Sequence, residues 1–312
     1  MNANNCFTTP IALFIYNRPQ KAKTVLNRIS TAEPEKLLIV ADGPAPGDEA
    51  DRRRCRRTRE LVEKNINWDC EVKKNYANSN LGLRQRFATG LEWIFSNNER
   101  AIILEDDCVP VESFFYFCNR MLEEYEDDER IMDISGTNYL GTWKDDQQDF
   151  HFSMYGGIWG WATWRRTWEW YDPDMELWGD EEVRNRIADY IADNDQFGYL
   201  KYIYEKVYNN RLETWDYQWG FARHRNSALS VVPSRNLVTN IGFGADATNT
   251  TESDSESEWS NLPAKNIEFP IQTNDFVAVD REYDRRFHKM RPVSHRNAAL
   301  RFGRRLYERY LS

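Results

Sequence analysis

The stretch AIILEDD, residues 101–107, decides the fold, because an apolar run fit for a buried strand ends there in three consecutive carboxylates. In open α/β sheets, ligands bind beyond the carboxyl ends of the strands. Ionised carboxylates without a counter-charge are costly to bury, so Glu105, Asp106 and Asp107 favour a bound cation. Mg²⁺ and Mn²⁺ prefer carboxylate and phosphate oxygens. The stretch therefore indicates either a metal–diphosphate site or a strand that ends in a solvated acidic turn.

The first 136 residues alternate between short apolar patterns typical of strands and longer amphipathic patterns typical of helices. The predicted strands are Ile11–Tyr16, Leu37–Ala41, Cys70–Lys74, Ala101–Glu105 and Ile131–Ser135. The predicted helices are Lys21–Ile29, Asp51–Asn65, Leu83–Phe95 and Ser113–Glu124. This alternation predicts an α/β fold with a mostly parallel central sheet and helices on both faces.

The pattern changes after residue 136. Nine of the twelve tryptophans lie between Trp143 and Trp219, and a long helical stretch is predicted around Glu181–Tyr208. Residues Ala245–Asn261 are rich in Ser, Thr, Asp and Glu, which predicts a mobile acidic loop. From Arg281 to the last residue, ten Lys and Arg stand against three Asp and Glu, and a basic amphipathic helix is predicted over Asn297–Leu311.

Composition excludes several classes of protein. The formal net charge of −9 argues against a nucleic-acid partner. Five cysteines without a CxxC pair argue for a reducing compartment and against a structural zinc site. The sequence has no apolar run of the roughly 18–20 residues that span a bilayer, and its first residues do not read as a secretory signal. A cytoplasmic protein is expected.

Three further charged residues stand where chemistry is plausible. Arg18 follows the first predicted strand, where it either pairs with phosphate or is an ordinary surface arginine. Asp42 follows the second strand, where it either contacts a nucleotide or initiates a turn. Asp216 lies between aromatic residues, which raise a carboxylate's pKa and make it a better base near neutral pH. Its alternative role is to accept a hydrogen bond from a buried tryptophan.

The order of these pieces resembles GT-A glycosyltransferases. More narrowly, it is similar to N-acetylglucosaminyltransferase I and to bacterial family 2 or hemolytic-protein-like sugar transferases. Besides an early arginine and aspartate, the matching motifs are LEDDCVPVESFFYF (Leu104–Phe117), GGIWGWATW (Gly156–Trp164), WDYQW (Trp215–Trp219) and VPSRNLVTNIGFG (Val232–Gly244). The match covers roughly residues 10–244.

The resemblance implies a GT-A fold and an inverting, metal-dependent transfer of a sugar from a nucleotide-diphosphate donor. UDP is the expected nucleotide, with N-acetylglucosamine as the first guess for the sugar. Asp107 would bind Mn²⁺ or Mg²⁺ at the donor diphosphate. The resemblance assigns nucleotide contacts to Arg18, Asp42, Glu105 and Asp106.

The acceptor side follows from the same resemblance. Asp216 would deprotonate a saccharide or glycoconjugate hydroxyl in a bacterial polysaccharide pathway. Trp161 and Gly160 are the predicted sugar contacts, because aromatic faces pack on the apolar faces of sugar rings. The alternative for the tryptophan-rich segment is ordinary hydrophobic core.

Four segments are expected on this basis. Residues 1–136 would form a nucleotide-sugar-binding half and residues 137–244 an acceptor-side half of the same domain. The loop Ala245–Asn261 would close over the bound donor. Residues 262–312 would form a C-terminal extension. Within it, Arg281–Ser312 either contacts an anionic membrane surface peripherally or packs on the domain.

Two other classes of function remain open from the sequence. A non-catalytic sugar-binding module would explain the tryptophans but gives no reason for three acids at a strand end. A sugar-phosphate nucleotidyltransferase would also use a metal and strand-end acids. Such enzymes usually carry a glycine-rich loop with a basic residue near the N-terminus, and residues 13–19 lack one.

Overall fold

The computed structural model of the chain describes residues 7–243, 259, 262–272 and 274–291. Its strands are β1 (Ile11–Ile15), β2 (Lys36–Ala41), β3 (Glu71–Tyr76), β4 (Arg100–Glu105), β5 (Cys108–Pro110), β6 (Ile131–Ser135), β7 (Phe150–Ser153), β8 (Trp161–Trp164), β9 (Leu229–Pro233) and β10 (Val238–Asn240). Its helices are α1 (Pro19–Ile29), α2 (Glu49–Lys64), α3 (Leu83–Phe95), α4 (Glu112–Glu124), α5 (Arg165–Trp168), α6 (Glu181–Ile191), α7 (Asn194–Tyr208), α8 (Asp216–Arg225) and α9 (Arg281–Met290), with a 3-10 turn at Glu176–Gly179.

Eight strands form one central sheet in the order β3-β2-β1-β4-β8-β6-β9-β7. Strands β7 and β8 run against the others, which are parallel to one another. Strands β5 and β10 pair separately as an antiparallel ribbon. Strands from both predicted halves of the chain thus share one sheet. A mixed α/β architecture with a mostly parallel sheet is confirmed.

Both faces of the sheet are covered, because side chains of a strand alternate between the two faces. In β1, Ile11 and Leu13 belong to a core that includes residues of α1, α2 and α4. Ala12 and Phe14 belong to a second core that includes residues of α3 and α8. Burial on both sides explains why β1 reads as a continuous apolar run. The predicted flanking of the sheet by helices is confirmed.

The long helical stretch predicted around Glu181–Tyr208 consists of two helices, α6 and α7, with a break between them. Ala192 ends α6 in the left-handed region with φ 48°. Asp193 then caps α7, its carboxylate accepting hydrogen bonds from the backbone N–H groups of Asp195 and Gln196. The break lets both helices pack against α8.

The start of the basic C-terminal segment packs against the sheet. Asp280 caps α9 and accepts hydrogen bonds from Trp143 Nε1 and Lys144 Nζ, each at 2.9 Å. Tyr283 and Phe287 of α9 are buried. Up to residue 291, the segment Arg281–Ser312 therefore follows the packed alternative. The predicted helix Asn297–Leu311 and, apart from residue 259, the predicted loop Ala245–Asn261 lie outside the described residues.

Among the described residues, no helix is both long enough and apolar enough to cross a membrane.

The pH dependence of stability should report on the buried carboxyl of α9. Asp284 is fully buried and accepts a hydrogen bond from Ser153 Oγ at 2.5 Å, and burial raises its pKa to about 7. A carboxyl group whose pKa is raised in the folded state stabilises the fold fully below its unfolded-state pKa of about 4. This stabilisation is lost as the pH rises through the folded-state pKa of about 7. Between these values we expect the free energy of unfolding to fall by at most about 1.4 kcal/mol per pH unit.

The comparison is between wild type and Asp284→Asn, by urea unfolding at several pH values from 4 to 8. The variant should lose this part of the pH dependence, because an amide does not titrate. Asp275→Asn removes an exposed carboxylate near the same helix and should keep the wild-type profile. Parallel profiles for wild type and Asp284→Asn would contradict the assignment.

Candidate active site

The acidic cluster after β4 receives its counter-charge from the loop after β1. These strands are neighbours in the sheet and end at the same edge. Arg18 Nη1 lies 2.6 Å from Asp107 Oδ2 and 3.4 Å from Asp106 Oδ1. Asp106 Oδ2 also accepts a hydrogen bond from the backbone N–H of Tyr16 at 3.1 Å. The two strand ends are thus joined by charge and by hydrogen bonding.

The loop that carries Arg18 is held from both sides. Pro19 opens α1, where its fixed φ suits the first helical turn. Asp51 of α2 is buried and accepts hydrogen bonds from Tyr16 Oη at 2.7 Å and from Asn17 Nδ2 at 2.6 Å. The approach of Arg18 to the acids is therefore fixed by residues on two helices.

One guanidinium is set against three carboxyl groups. Burial, together with the nearby charges of Asp107 and Asp106, raises the pKa of Glu105 well above its ordinary value. Burial and the charge of Asp107 raise the pKa of Asp106 to about 6, although Arg18 opposes the shift. The cluster is thus electrostatically suited to a cation or to a hydrogen-bonding ligand.

The chemistry around Asp107 fits a hard divalent cation. Gly242 packs so closely that a Cβ at this position would collide with Asp107 Oδ2 and lie 2.8 Å from Asn240 Oδ1. Within the described ranges, no group of three or more His, Cys, Asp or Glu is placed to hold a metal. Asp107 and Asn240 nevertheless offer oxygen atoms of the kind that Mg²⁺ prefers, and a cation here would need further ligands from outside the described residues.

Asp42 both forms a turn and lines the site. Its Oδ1 accepts hydrogen bonds from the backbone N–H groups of Gly43 at 2.7 Å and Leu81 at 2.9 Å. The residue is 7% exposed at the end of β2. Asp42 therefore forms the turn that was one of its two predicted roles, and it also lines the cleft described below.

Asp216 stands on the opposite wall as the first residue of α8. Burial raises its pKa, while hydrogen bonds from Thr214 Oγ1 and from the backbone N–H groups of Asp216 and Tyr217 oppose the shift. A carboxylate at a helix N-terminus is further favoured by the helix dipole. Asp216 is thus ionisable and already hydrogen-bonded, with a pKa moved toward neutrality.

An aromatic stack sets the position of this wall. The rings of Phe14 and Phe87 lie 4.3 Å apart with an interplanar angle of 5°. Phe87 stacks in turn on Trp215 at 4.5 Å, again at 5°. Offset stacking of this kind adds about 0.5–1.5 kcal/mol per pair beyond area burial. Strand β1 is thereby connected through α3 to the residue that precedes Asp216.

Both walls enclose a cleft of about 670 Å³. The predicted charged residues that line it are Arg18, Asp42, Glu105, Asp106, Asp107 and Asp216. A second cavity of about 290 Å³ adjoins it, and the two share Ile158, Trp159, Asp216 and Tyr217. The structure therefore brings together every charged residue that the sequence singled out for the site.

The two predicted sugar contacts are placed elsewhere. Trp161 is 1% exposed and packs against Trp215 and Trp219, with centroid distances of 5.7 and 5.4 Å. Gly160 adopts φ 68° in the turn before β8. Neither residue lines the cleft or the second cavity, whereas Trp159 lines both.

Sequence reasoning missed Arg86 of α3. The residue is 6% exposed and lines the cleft, and its Nη2 donates to Asn75 O at 2.9 Å and Asn75 Oδ1 at 2.8 Å. Burial lowers its pKa, and the charge of Asp42 opposes the shift. Its position in the sequence could have indicated its burial, because Arg86 is spaced to lie on the same apolar helix face as Leu83 and Gly90.

No family model and no curated protein matches this chain. Among solved structures it is similar to the mannosyltransferase PcManGT from Pyrobaculum calidifontis in complex with GDP-Man and Mn²⁺, with 11% identity, 70% of this chain and 68% of that chain covered, and a TM-score of 0.37. It is also similar to an apo UDP-glucose pyrophosphorylase, with 8% identity, 75% of this chain and 93% of that chain covered, and a TM-score of 0.37. Likenesses this weak establish neither a shared family nor a shared activity.

The close approach of Gly242 to Asp107 gives a test of the predicted metal site at Asp107. Gly242→Ala should displace the Asp107 carboxylate and weaken Mn²⁺ binding about 10–100-fold, the scale seen when the support of a metal ligand is lost. The measurement is isothermal titration with Mn²⁺ in the presence of UDP. Gly198→Ala is the matched control, because its Cβ would meet no atom within 4 Å. Equal Mn²⁺ affinity in the two variants would contradict a site at Asp107.

Proposed function

We propose that this chain is a GT-A-type glycosyltransferase that moves a sugar, with inversion, from a nucleotide-diphosphate donor to a saccharide hydroxyl. The donor nucleotide in this proposal is UDP, and the cofactor is Mn²⁺ or Mg²⁺. One observation carries the proposal: six charged residues spread from Arg18 to Asp216 line a single cleft at the carboxyl ends of β1, β2 and β4. Ligands of open α/β sheets bind at such an edge.

On the donor side, Asp107 would hold the cation, with the Asn240 amide oxygen close by. When bound, the metal ion would act as a Lewis acid toward the diphosphate. Arg18 would turn from Asp107 toward a phosphate oxygen, because a guanidinium pairs as well with phosphate as with carboxylate. Asp42 and Glu105 would contact the ribose and the base.

On the acceptor side, Asp216 would accept the proton of the attacking hydroxyl. The oxygen then attacks the anomeric carbon from the face opposite the leaving diphosphate, and one displacement inverts the configuration. Asp216 suits this role because it lies on the wall that faces the acidic cluster and lines both the cleft and the adjoining cavity. Its raised pKa brings it nearer to the operating pH, where a general base is most effective.

Thermal stabilisation by nucleotides tests the donor site. We expect UDP to raise the melting temperature only when Mn²⁺ is present, because ligand and cation would complete each other's contacts. GDP, CMP and dTDP, each with and without Mn²⁺, serve as comparisons. A shift with one of these instead would reassign the nucleotide, whereas no shift with any of them would contradict a donor site here.

Asp216→Asn tests the assignment of the base. UDP and Mn²⁺ binding should stay near normal, because Asp216 is assigned to the acceptor and not to the nucleotide or the cation, whereas turnover should fall about 10²–10⁴-fold. Turnover is measured as UDP release from the UDP-sugar. Asp107→Ala provides the opposite pattern, with loss of metal-dependent UDP binding. Full activity in Asp216→Asn would rule out Asp216 as the base.

A further inference from the structure

The second cavity, which adjoins the cleft at Asp216, has the size and walls of a site for one sugar ring. Its volume is about 290 Å³, near the lower limit for small-molecule sites. Ten of its eighteen lining residues are Tyr, Trp or Phe, among them Tyr139, Tyr155, Trp159, Tyr199, Tyr217 and Trp219. Such rings pack on the apolar faces of sugars while tyrosine hydroxyls provide hydrogen bonds.

Two arginines also line this cavity, and they differ in how their charge is balanced. Arg223 forms an ion pair with Asp133 in which both side chains are 4% exposed. Arg291 is 9% exposed, and no carboxylate of the described residues lies within salt-bridge distance of it. Its guanidinium carbon instead lies 4.3 Å from the ring centroid of Tyr199 and 5.2 Å from that of Tyr155. Arg291 Nε is buried without a hydrogen-bond partner.

The other titratable groups of the lining do not supply the missing charge. His224 is neutral near pH 7, because burial and the charge of Arg223 lower its pKa to about 3. Its two ring nitrogens are already bonded to Tyr204 Oη at 2.8 Å and Met154 O at 3.0 Å. Asp216 is the one carboxylate in the described lining, and the charge of Arg291 lowers its pKa, but no salt bridge joins the two side chains. In the proposed reaction Asp216 becomes neutral when it takes up the acceptor proton.

We infer that the second cavity binds a sugar that carries a carboxylate or a phosphate group, with that anionic group paired to Arg291. A neutral sugar that filled the cavity would remove water from Arg291 without replacing it by a counter-charge, which is costly in a low-dielectric site. An anionic sugar supplies a charge-assisted hydrogen bond at the same place. The role of this sugar as the acceptor rests on the proposed function.

Binding to the unmodified protein without donor tests this inference. The probes are glucuronate, glucose 6-phosphate and glucose, each titrated while tryptophan fluorescence is followed, because Trp159 and Trp219 line the cavity. At least one of the two anionic sugars should bind about tenfold or more tightly than glucose, the scale of a hydrogen bond to a charged group. A preference for glucuronate would identify a sugar acid, and one for glucose 6-phosphate a phosphorylated sugar.

Two variants assign the preference to Arg291. Arg291→Gln should remove the preference for the anionic sugar while changing glucose binding little. Arg285→Gln removes an exposed arginine of α9 and should keep the preference. Circular dichroism checks that both variants fold. If Arg291→Gln does not fold, the comparison of the three sugars on the wild-type protein still tests whether the cavity prefers an anionic sugar. An anion preference that survives in folded Arg291→Gln would overturn the assignment.

The outcomes separate this inference from the proposed function. Equal affinity for all three sugars, or no binding, in a protein that UDP and Mn²⁺ stabilise would overturn the inference alone. A clear anion preference in a protein that no nucleotide stabilises would leave the anionic site standing and overturn the transferase.

Discussion

The ion pair between Arg18 and the carboxylates that follow β4 is the contact around which the cleft is arranged. An opposite charge stabilises the three acids that follow this strand, because isolated buried carboxylates are strongly destabilised. The strand order provides that charge, since β1 and β4 are parallel neighbours and Arg18 follows β1 directly. One guanidinium does not balance three carboxyl groups. The raised pKa values of Glu105 and Asp106 follow from that excess as well as from burial.

Strand β1 connects both walls of the cleft, because its ends and its two faces make different contacts. Beyond its carboxyl end, Arg18 reaches the acidic cluster. On one face of the sheet, Phe14 begins the stack that continues through Phe87 to Trp215 and so reaches the residue before Asp216. The distance between the acidic cluster and the proposed base is thus set by packed rings rather than by flexible loops. Rigid support of this kind is what positions catalytic groups to within the tolerance that chemistry requires.

The elements β1 to β4 and α1 to α4 were predictable, because strand and helix periodicity is clear in the first 124 residues, and burial on both faces makes β1, β2 and β4 almost wholly apolar. The break at Ala192 was not, since alanine is a strong helix former and only tertiary packing compensates its left-handed conformation. Which tryptophan side chains face the cleft and which face the core was harder still to predict. Trp161 and Trp159 stand two residues apart in one segment, yet the first is core and the second lines the cleft. Arg86 escaped notice because a buried arginine on an apolar helix face looks, in sequence, like an interruption of the pattern.

The wall shared by the cleft and the second cavity has an evolutionary consequence. Ile158, Trp159, Asp216 and Tyr217 contact both spaces, so a substitution there alters two binding surfaces at once. Substitutions at neighbouring residues of this wall are expected to be non-additive, since contacting residues couple energetically. Selection for a new ligand in one cavity would therefore change affinity in the other. Divergence would proceed most easily through residues that line one space alone, such as Arg86 on one side and Arg291 on the other.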